Sequence, residues 1–358
     1  MKKIIGYMTV VFLCTLLILN PAKAVGYASE GLLLCEEIII PSLFPFFVCS
    51  GLLVYSGFCE VLAKMFSPVM RPLFNINPTG AAAFVLGLIS GYPQGAVSTG
   101  QLYEGMYLSK SEAERLLAFC NNSGPLFILG TVGISLYHSL EAGIILYIAH
   151  ILGAISVGIV FRFYKITSFS APTARIDTDK KNVSQIFSAA ISDSVKNILT
   201  VCASVLFCSV LSKLIMDLFT LSLPVEALIA SFLEFVSGLG KISYLTADTI
   251  TKLLMSAAVC AFAGISVHLQ VMGVVSKYGL SLKPYILGKI LHAFFAVLYT
   301  FILLKLFPVT QSVFSYSATE NTMSLGFFTA AAAMLILAAT ITVIFIVHLI
   351  LKLKHKSA

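Results

Sequence analysis

The sequence predicts an all-α polytopic membrane protein, arranged as an inverted-topology repeat with broken or re-entrant helices. Three observations lead there. Charged residues make up 11% of the 358 and hydrophobic residues 58%, against about 25% charged in soluble domains. Several apolar runs reach the roughly 20 residues needed to cross about 30 Å of hydrocarbon. Two stretches also match one another: Ser90-Gly91 followed by Ala118, Cys120 and Gly124, and Ser237-Gly238 followed by Ala258, Cys260 and Gly264. The mean hydropathy of +0.97 agrees with the first two.

Each element follows in order. Lys2-Lys3, an apolar run over 4–20 and Ala22-Lys23-Ala24 fit either a secretory signal with an A-x-A cleavage site or a short first transmembrane helix. The retained helix is the expectation adopted, with residues 1–24 as the first unit. Residues 25–164 form the first repeat. It opens with an amphipathic helix and an apolar helix over 30–57, broken at Pro41 and Pro45, because proline removes a donor and clashes with the preceding turn. Residues 59–75 carry Lys64 and Arg71 among Val, Leu, Met and Phe and read as interfacial. An apolar segment over 79–100 is interrupted at 90–95 by Gly91, Pro93 and Gly95. A polar stretch over 103–115 follows, where Ser109 to Glu112 and Ser111 to Glu114 are capping signals. That helix reaches Cys120 and breaks over 121–125, before a half-helix to about Leu136 and a span over 140–164.

Residues 165–183 form a polar linker, and residues 184–307 repeat the plan. An amphipathic helix (185–196), a span (197–217) and an apolar segment (224–236) precede a glycine break over 237–241. A helix over 250–262, a break at Gly264, a half-helix over 265–276 and a span over 284–307 follow. Residues 308–358 hold a last span over 325–350 and a basic tail. The spacing from the Ser-Gly to the Cys is longer in the first copy, and the excess falls in the polar stretch 103–112.

The net charge of +7 does not mark a nucleic-acid binder. Its basic residues lie in short loops and the tail, including Arg162, Lys165, Arg175, Lys180, Lys181, Lys352, Lys354 and Lys356, which is the positive-inside pattern. The N-terminus, linker and tail are therefore placed in the cytoplasm, and the loop 308–324, without Lys or Arg, outside. The two repeats then run in opposite senses, with Lys213 as a counter-signal. The eight cysteines form no C-x-x-C pair and read as small buried hydrophobes, so no metal site or disulfide framework is expected. No cofactor is expected either. G-x-S-x-G, H-E-x-x-H, Walker A and Rossmann patterns are absent, so the chain is not expected to be an enzyme.

Chemistry is expected at the breaks. A helix broken inside a membrane exposes backbone groups that must find partners, and half-helix N-termini attract anions. Asn121, Asn122 and Ser123 either cap the broken backbone, contact a substrate, or both. Lys241 follows the second glycine break and is either a functional intramembrane cation or a snorkelling one. Ser237 opens that break, and Tyr92 and Gln94 flank Pro93 in its counterpart. Ser266, His268 and Gln270 are polar positions in an otherwise apolar half-helix, where His268 is placed to titrate. His150 and His292 sit in continuous spans and read as structural, and Glu36 and Glu37 as interfacial. The break segments so delimited contain no Asp or Glu, which favours an anionic substrate over a nucleoside.

Four motifs in order, Pro41-Ser42-Leu43-Phe44-Pro45-Phe46, Ser90-Gly91-Tyr92-Pro93-Gln94-Gly95-Ala96, Asn121-Asn122-Ser123-Gly124-Pro125-Leu126-Phe127 and Gly264-Ile265-Ser266-Val267-His268-Leu269-Gln270, resemble the YlbJ-type sporulation integral membrane proteins. That family is also called stage V sporulation protein V, and it carries the nucleoside-recognition Gate domain. The resemblance covers about residues 30–305. It implies a concentrative-nucleoside-transporter-like fold in an endospore-forming bacterium. It also implies movement of dipicolinic acid, with calcium as a companion, from mother cell to forespore across the outer forespore membrane. The expected partners are thus the small organic anion, the lipid bilayer and, on one alternative, a co-transported cation. Many relatives place a lysine just after the Gly-Ala of the first break. Here that position is Val97, which would shift load to Lys241 or change the substrate. Competing readings are a carrier of a nucleoside or another small anion, and a non-transporting membrane protein of spore assembly.

Overall fold

The computed structural model describes residues 2–56, 58–165, 182–219 and 221–307, and every regular element among them is helical. Most of the linker, the loop 308–324, the expected last span and the basic tail lie outside the described residues. Helix α1 (Lys2–Leu19) turns by 100° at Asn20 into α2 (Pro21–Leu34). Pro21 supplies no N–H to continue the first helix and suits the first position of the second.

The break expected at Pro41 and Pro45 does not occur. The chain passes from α2 through a π-helical turn, Cys35–Ile39, into α3 (Ile40–Tyr55). A proline ring collides with the carbonyl four residues earlier, and a wider turn there removes the collision. The same device recurs at Met70–Phe74 after α4 (Phe58–Val69), around Pro72. In that stretch Phe66, Met70 and Phe74 are buried, while Lys64 and Arg71 are exposed, so the segment is amphipathic.

Helices α5 (Gly80–Ser90) and α6 (Gln94–Glu104) meet at Gly91-Tyr92-Pro93. Helix α7 (Lys110–Leu117) starts with the Ser109–Glu112 capping box. Glu114, the other expected capping acid, instead accepts from Lys165 at 3.0 Å and from the Ser281 amide at 3.1 Å. The chain breaks over 121–124 and continues as a π-helical segment, Leu126–Leu136, and then α8 (Leu140–Phe161).

The amphipathic helix and span expected over 185–217 are one helix, α9 (Val183–Met216), because no Gly or Pro interrupts its 34 residues. At 1.5 Å per residue it runs about 50 Å, well beyond the hydrocarbon thickness. Gly31 of α2 and Gly51 of α3 pack against Leu206 and Ala190 of α9. Lys213, near its end, is partnered by Glu30, which accounts for a cation where none was expected.

The break placed at 237–241 lies elsewhere. Helices α10 (Leu223–Leu233) and α11 (Phe235–Ser243) part at Glu234, and Gly238 and Gly240 are inside α11. Gly238 serves packing, since a Cβ there would sit 2.3 Å from the Ser231 Cα of α10. Helices α12 (Thr249–Phe262) and α13 (Gly264–Ser276) meet at Ala263 and Gly264, both at positive φ. Helix α14 (Lys283–Leu306) packs against α8 and α12.

Among the described residues, four stretches are long and apolar enough to cross a membrane: Leu140–Phe161, Val183–Met216, Thr249–Ser276 and Lys283–Leu306. The bent α1–α2 pair would make a fifth. The shorter apolar helices, Gly80–Ser90, Leu126–Leu136 and Leu223–Leu233, belong to the broken elements.

Candidate functional site

Three chain breaks converge on α14. The Tyr92 hydroxyl donates to the Cys260 carbonyl at 2.8 Å, and the Ser123 hydroxyl reaches the same carbonyl at 3.2 Å and Tyr92 Oη at 3.4 Å. Cys260 lies in the last turn of α12, where carbonyls lose their helical partners, so the breaks at 91–93 and 121–124 satisfy it.

Onto this junction α14 delivers Lys289, which is 1% exposed. Its Nζ donates to the Asn121 carbonyl at 2.9 Å and to Tyr92 Oη at 3.2 Å, and lies 4.8 Å from the centroid of the Tyr92 ring. None of the ion pairs among the described residues involves it. A buried ammonium served only by dipoles and a π face is costly to keep out of water. Gly288 makes the approach possible: a Cβ there would fall 2.2 Å from the Ala118 carbonyl oxygen. Gly288→Ala should therefore destabilise the protein. Alanine gains up to about 1 kcal/mol of helix propensity. Overpacking costs about 1–3 kcal/mol and takes the upper value where backbone must yield. Thermal unfolding in detergent would register the loss, and an unchanged midpoint would refute this packing role.

Beside Lys289, His150 of α8 accepts the Ser123 N–H on Nε2 at 3.1 Å. His292 of α14 donates from Nε2 to the His150 carbonyl at 2.8 Å, with the ring centroids 4.4 Å apart. Tyr92, Ser123, Gly124, Phe127, Phe235 and Gln270 line a cavity of about 40 Å³ together with Ile39, Val201 and Val205. That volume holds a water or two, so a bound organic molecule requires the breaks to open.

Of the residues expected from the sequence, the structure gathers Tyr92, Asn121 and Ser123 at Lys289, and sets Gln270 on the same cavity. Asn121 and Asn122 each donate to their own helix end, at Leu117 and Phe119, and each leaves a buried carbonyl oxygen without a partner. Ser266 is fully buried with its hydroxyl unpartnered. His268 Nδ1 meets Tyr285 Oη at 2.8 Å and its Nε2 is unpartnered. Tyr285 precedes Lys289 by one turn of α14, on the same face.

Three residues are not part of this cluster. Gln94 bonds Ser98 and faces a second cavity with Tyr55, Asp193 and Asn197. The Ser237 amide is held by Glu234 at 2.7 Å. Lys241 pairs with Glu226 at 2.6 Å, with both side chains about one-third exposed, and lines neither cavity.

Sequence reasoning passed over Lys289 and Glu234. A lysine inside the 284–307 span was itself the signal for the first. The second corrects the statement that the breaks hold no acid: Glu234 is fully buried at the α10–α11 break. Its two oxygens accept the Val236 and Ser237 amides, which occupies them in capping α11.

No family model matches the chain, and no solved structure matches it. The chain is 28% identical over 356 aligned positions, covering 88% of its length and 87% of the relative's, to the sporulation integral membrane protein YlbJ of Bacillus subtilis (strain 168). That likeness supports a YlbJ-type assignment.

Proposed function

We propose that this chain, a YlbJ-type integral membrane protein, acts in sporulation as a carrier of dipicolinic acid from the mother cell across the outer forespore membrane. On this reading the two halves are an inverted repeat whose broken helices hold the substrate near the midplane, and the chain transports rather than catalyses.

The observation that carries the reading is Lys289, a buried cation without a carboxylate partner among the described residues. Such a cation is a standing site for an anion. A flat aromatic dicarboxylate also suits the surroundings. The rings of Tyr92, Phe127 and Phe235 cluster there, with Phe127 and Phe235 centroids 5.1 Å apart, and the Ser123 and Gln270 side chains add polar groups. A nucleoside carrier would draw on carboxylates and amides for the ribose hydroxyls, and the carboxylate at these breaks, Glu234, has spent its oxygens on backbone amides.

The test is uptake of labelled dipicolinate by non-sporulating cells expressing the chain. Concentrative uptake above the vector control is expected. It should be kept in Lys241→Ala, because a part-exposed ion pair contributes only about 0–1 kcal/mol and Lys241 stands apart from the junction. No uptake by well-inserted protein would sink the carrier reading and favour a non-transporting role.

A further inference from the structure

We propose that anion binding here is coupled to uptake of one proton on His150, and that this proton acts by releasing the Ser123 amide to the substrate. The proposal rests on the anion-carrier reading and adds its coupling ion.

His150 is 1% exposed. Its Nε2 accepts the Ser123 N–H, so that nitrogen carries no proton, and Nδ1 is buried without a partner. The charged and titratable groups around it are Lys289 and His292 from α14, Tyr92 through the Ser123 hydroxyl, and the Cys120 and Cys260 thiols that flank Lys289. No carboxylate pairs with it among the described residues. His292 is committed as a donor to the His150 carbonyl, since a carbonyl oxygen can only accept.

One lone pair on Nε2 can hold the Ser123 amide or a proton, but not both. Protonation sets N–H against N–H, and the 121–124 segment must shift. The amide it frees belongs to a residue that lines the cavity and touches Tyr92, the hydroxyl partner of Lys289. Charge balance points the same way. A dicarboxylate brings two negative charges to a site with one fixed cation, and an imidazolium supplies the second positive charge. Without the anion, an imidazolium beside Lys289 sets like charges together and is disfavoured. Proton and anion therefore bind together, each raising the other's affinity by the same factor. The only bond made and broken is the Nε2–H bond. The proton comes from water on the side where the anion enters, and it leaves on the far side as the amide returns to Nε2.

The test uses the full chain in liposomes, with potassium and valinomycin holding the membrane potential at zero, labelled dipicolinate outside and a pH dye inside. Dipicolinate entry should acidify the lumen by close to one proton per anion. Apparent affinity for dipicolinate should rise as pH falls, by up to about tenfold per unit, the slope of one linked proton. His150→Gln keeps an acceptor for the Ser123 amide but cannot take a proton, so its pH profile should be flat and its proton flux lost. Uptake by the parent without proton flux, on a flat pH profile, overturns the coupling and leaves the carrier reading standing. Proton flux that persists in His150→Gln overturns the assignment to His150. If that variant does not reconstitute, the parent's ratio and pH profile decide the coupling. No dipicolinate uptake by reconstituted parent under any gradient overturns the carrier reading and this proposal with it.

Discussion

Lys289→Met should abolish dipicolinate uptake while leaving the protein folded. Methionine matches the lysine stem in length and removes the buried charge. The Asn121 carbonyl loses its donor, which costs about 1–3 kcal/mol, and this is offset because an ammonium no longer has to be held out of water. Unfolding in detergent should therefore change little. The anion loses the one cation that the described residues place at the junction. Removing one partner of a buried, hydrogen-bonded charge pair costs about 2–5 kcal/mol, which is about 30-fold or more in apparent affinity. Lys289→Arg should not rescue uptake, because the planar guanidinium is bulkier where Gly288 already brings α14 against Ala118. Uptake by Lys289→Met at the parental rate would remove this lysine from the site.

Arg115→Met should produce the largest loss of stability. Arg115 is 2% exposed. Its guanidinium donates to the Tyr164 carbonyl at 2.8 Å, the Lys165 carbonyl at 3.0 Å and the Asn75 carbonyl at 2.7 Å. It thus ties α7 to the end of α8 and to the turn after Phe74. Buried Glu112 and Glu114 lie just before it in sequence. A methionine leaves three carbonyls without that donor and removes positive charge beside buried carboxylates. Breaking such an arrangement costs about 3–5 kcal/mol. Arg115→Lys should recover only part, since one ammonium cannot span the directions the fork covers. Denaturant unfolding in detergent measures this, and a loss under about 1 kcal/mol would show that these bonds are replaceable by water. Because α7 leads directly into the 121–124 break, the variant should also weaken anion binding.

Much of the architecture was legible because its causes are local. Gly91 and Pro93 end α5, Asn121 through Gly124 keep the chain out of a helix after α7, and Ala263-Gly264 part α12 from α13. In each case the backbone preference of a few residues decides, whatever the rest of the chain does. The Ser109–Glu112 cap is likewise a four-residue matter. Where local rules failed, packing had overruled them. Pro41 and Pro45 looked like a break, but wide turns kept the helix running along α9. Gly238 looked like a break but is a contact point, and the real break is at the capping acid Glu234.

The site divides along the same line. By itself the sequence determined that this is a helical membrane protein and that polar side chains collect at its helix breaks, because hydropathy and turn chemistry are properties of short segments. Which cation matters was decided only in three dimensions. Lys241 and Lys289 both stand in apolar surroundings along the chain. Lys241 finds Glu226 within its own helical hairpin at a part-exposed position. Lys289 is carried by α14, through the close approach at Gly288, to a carbonyl and a hydroxyl from breaks 168 and 197 positions away. No periodicity or spacing encodes that meeting, because the pairing of residues so far apart depends on how whole helices pack.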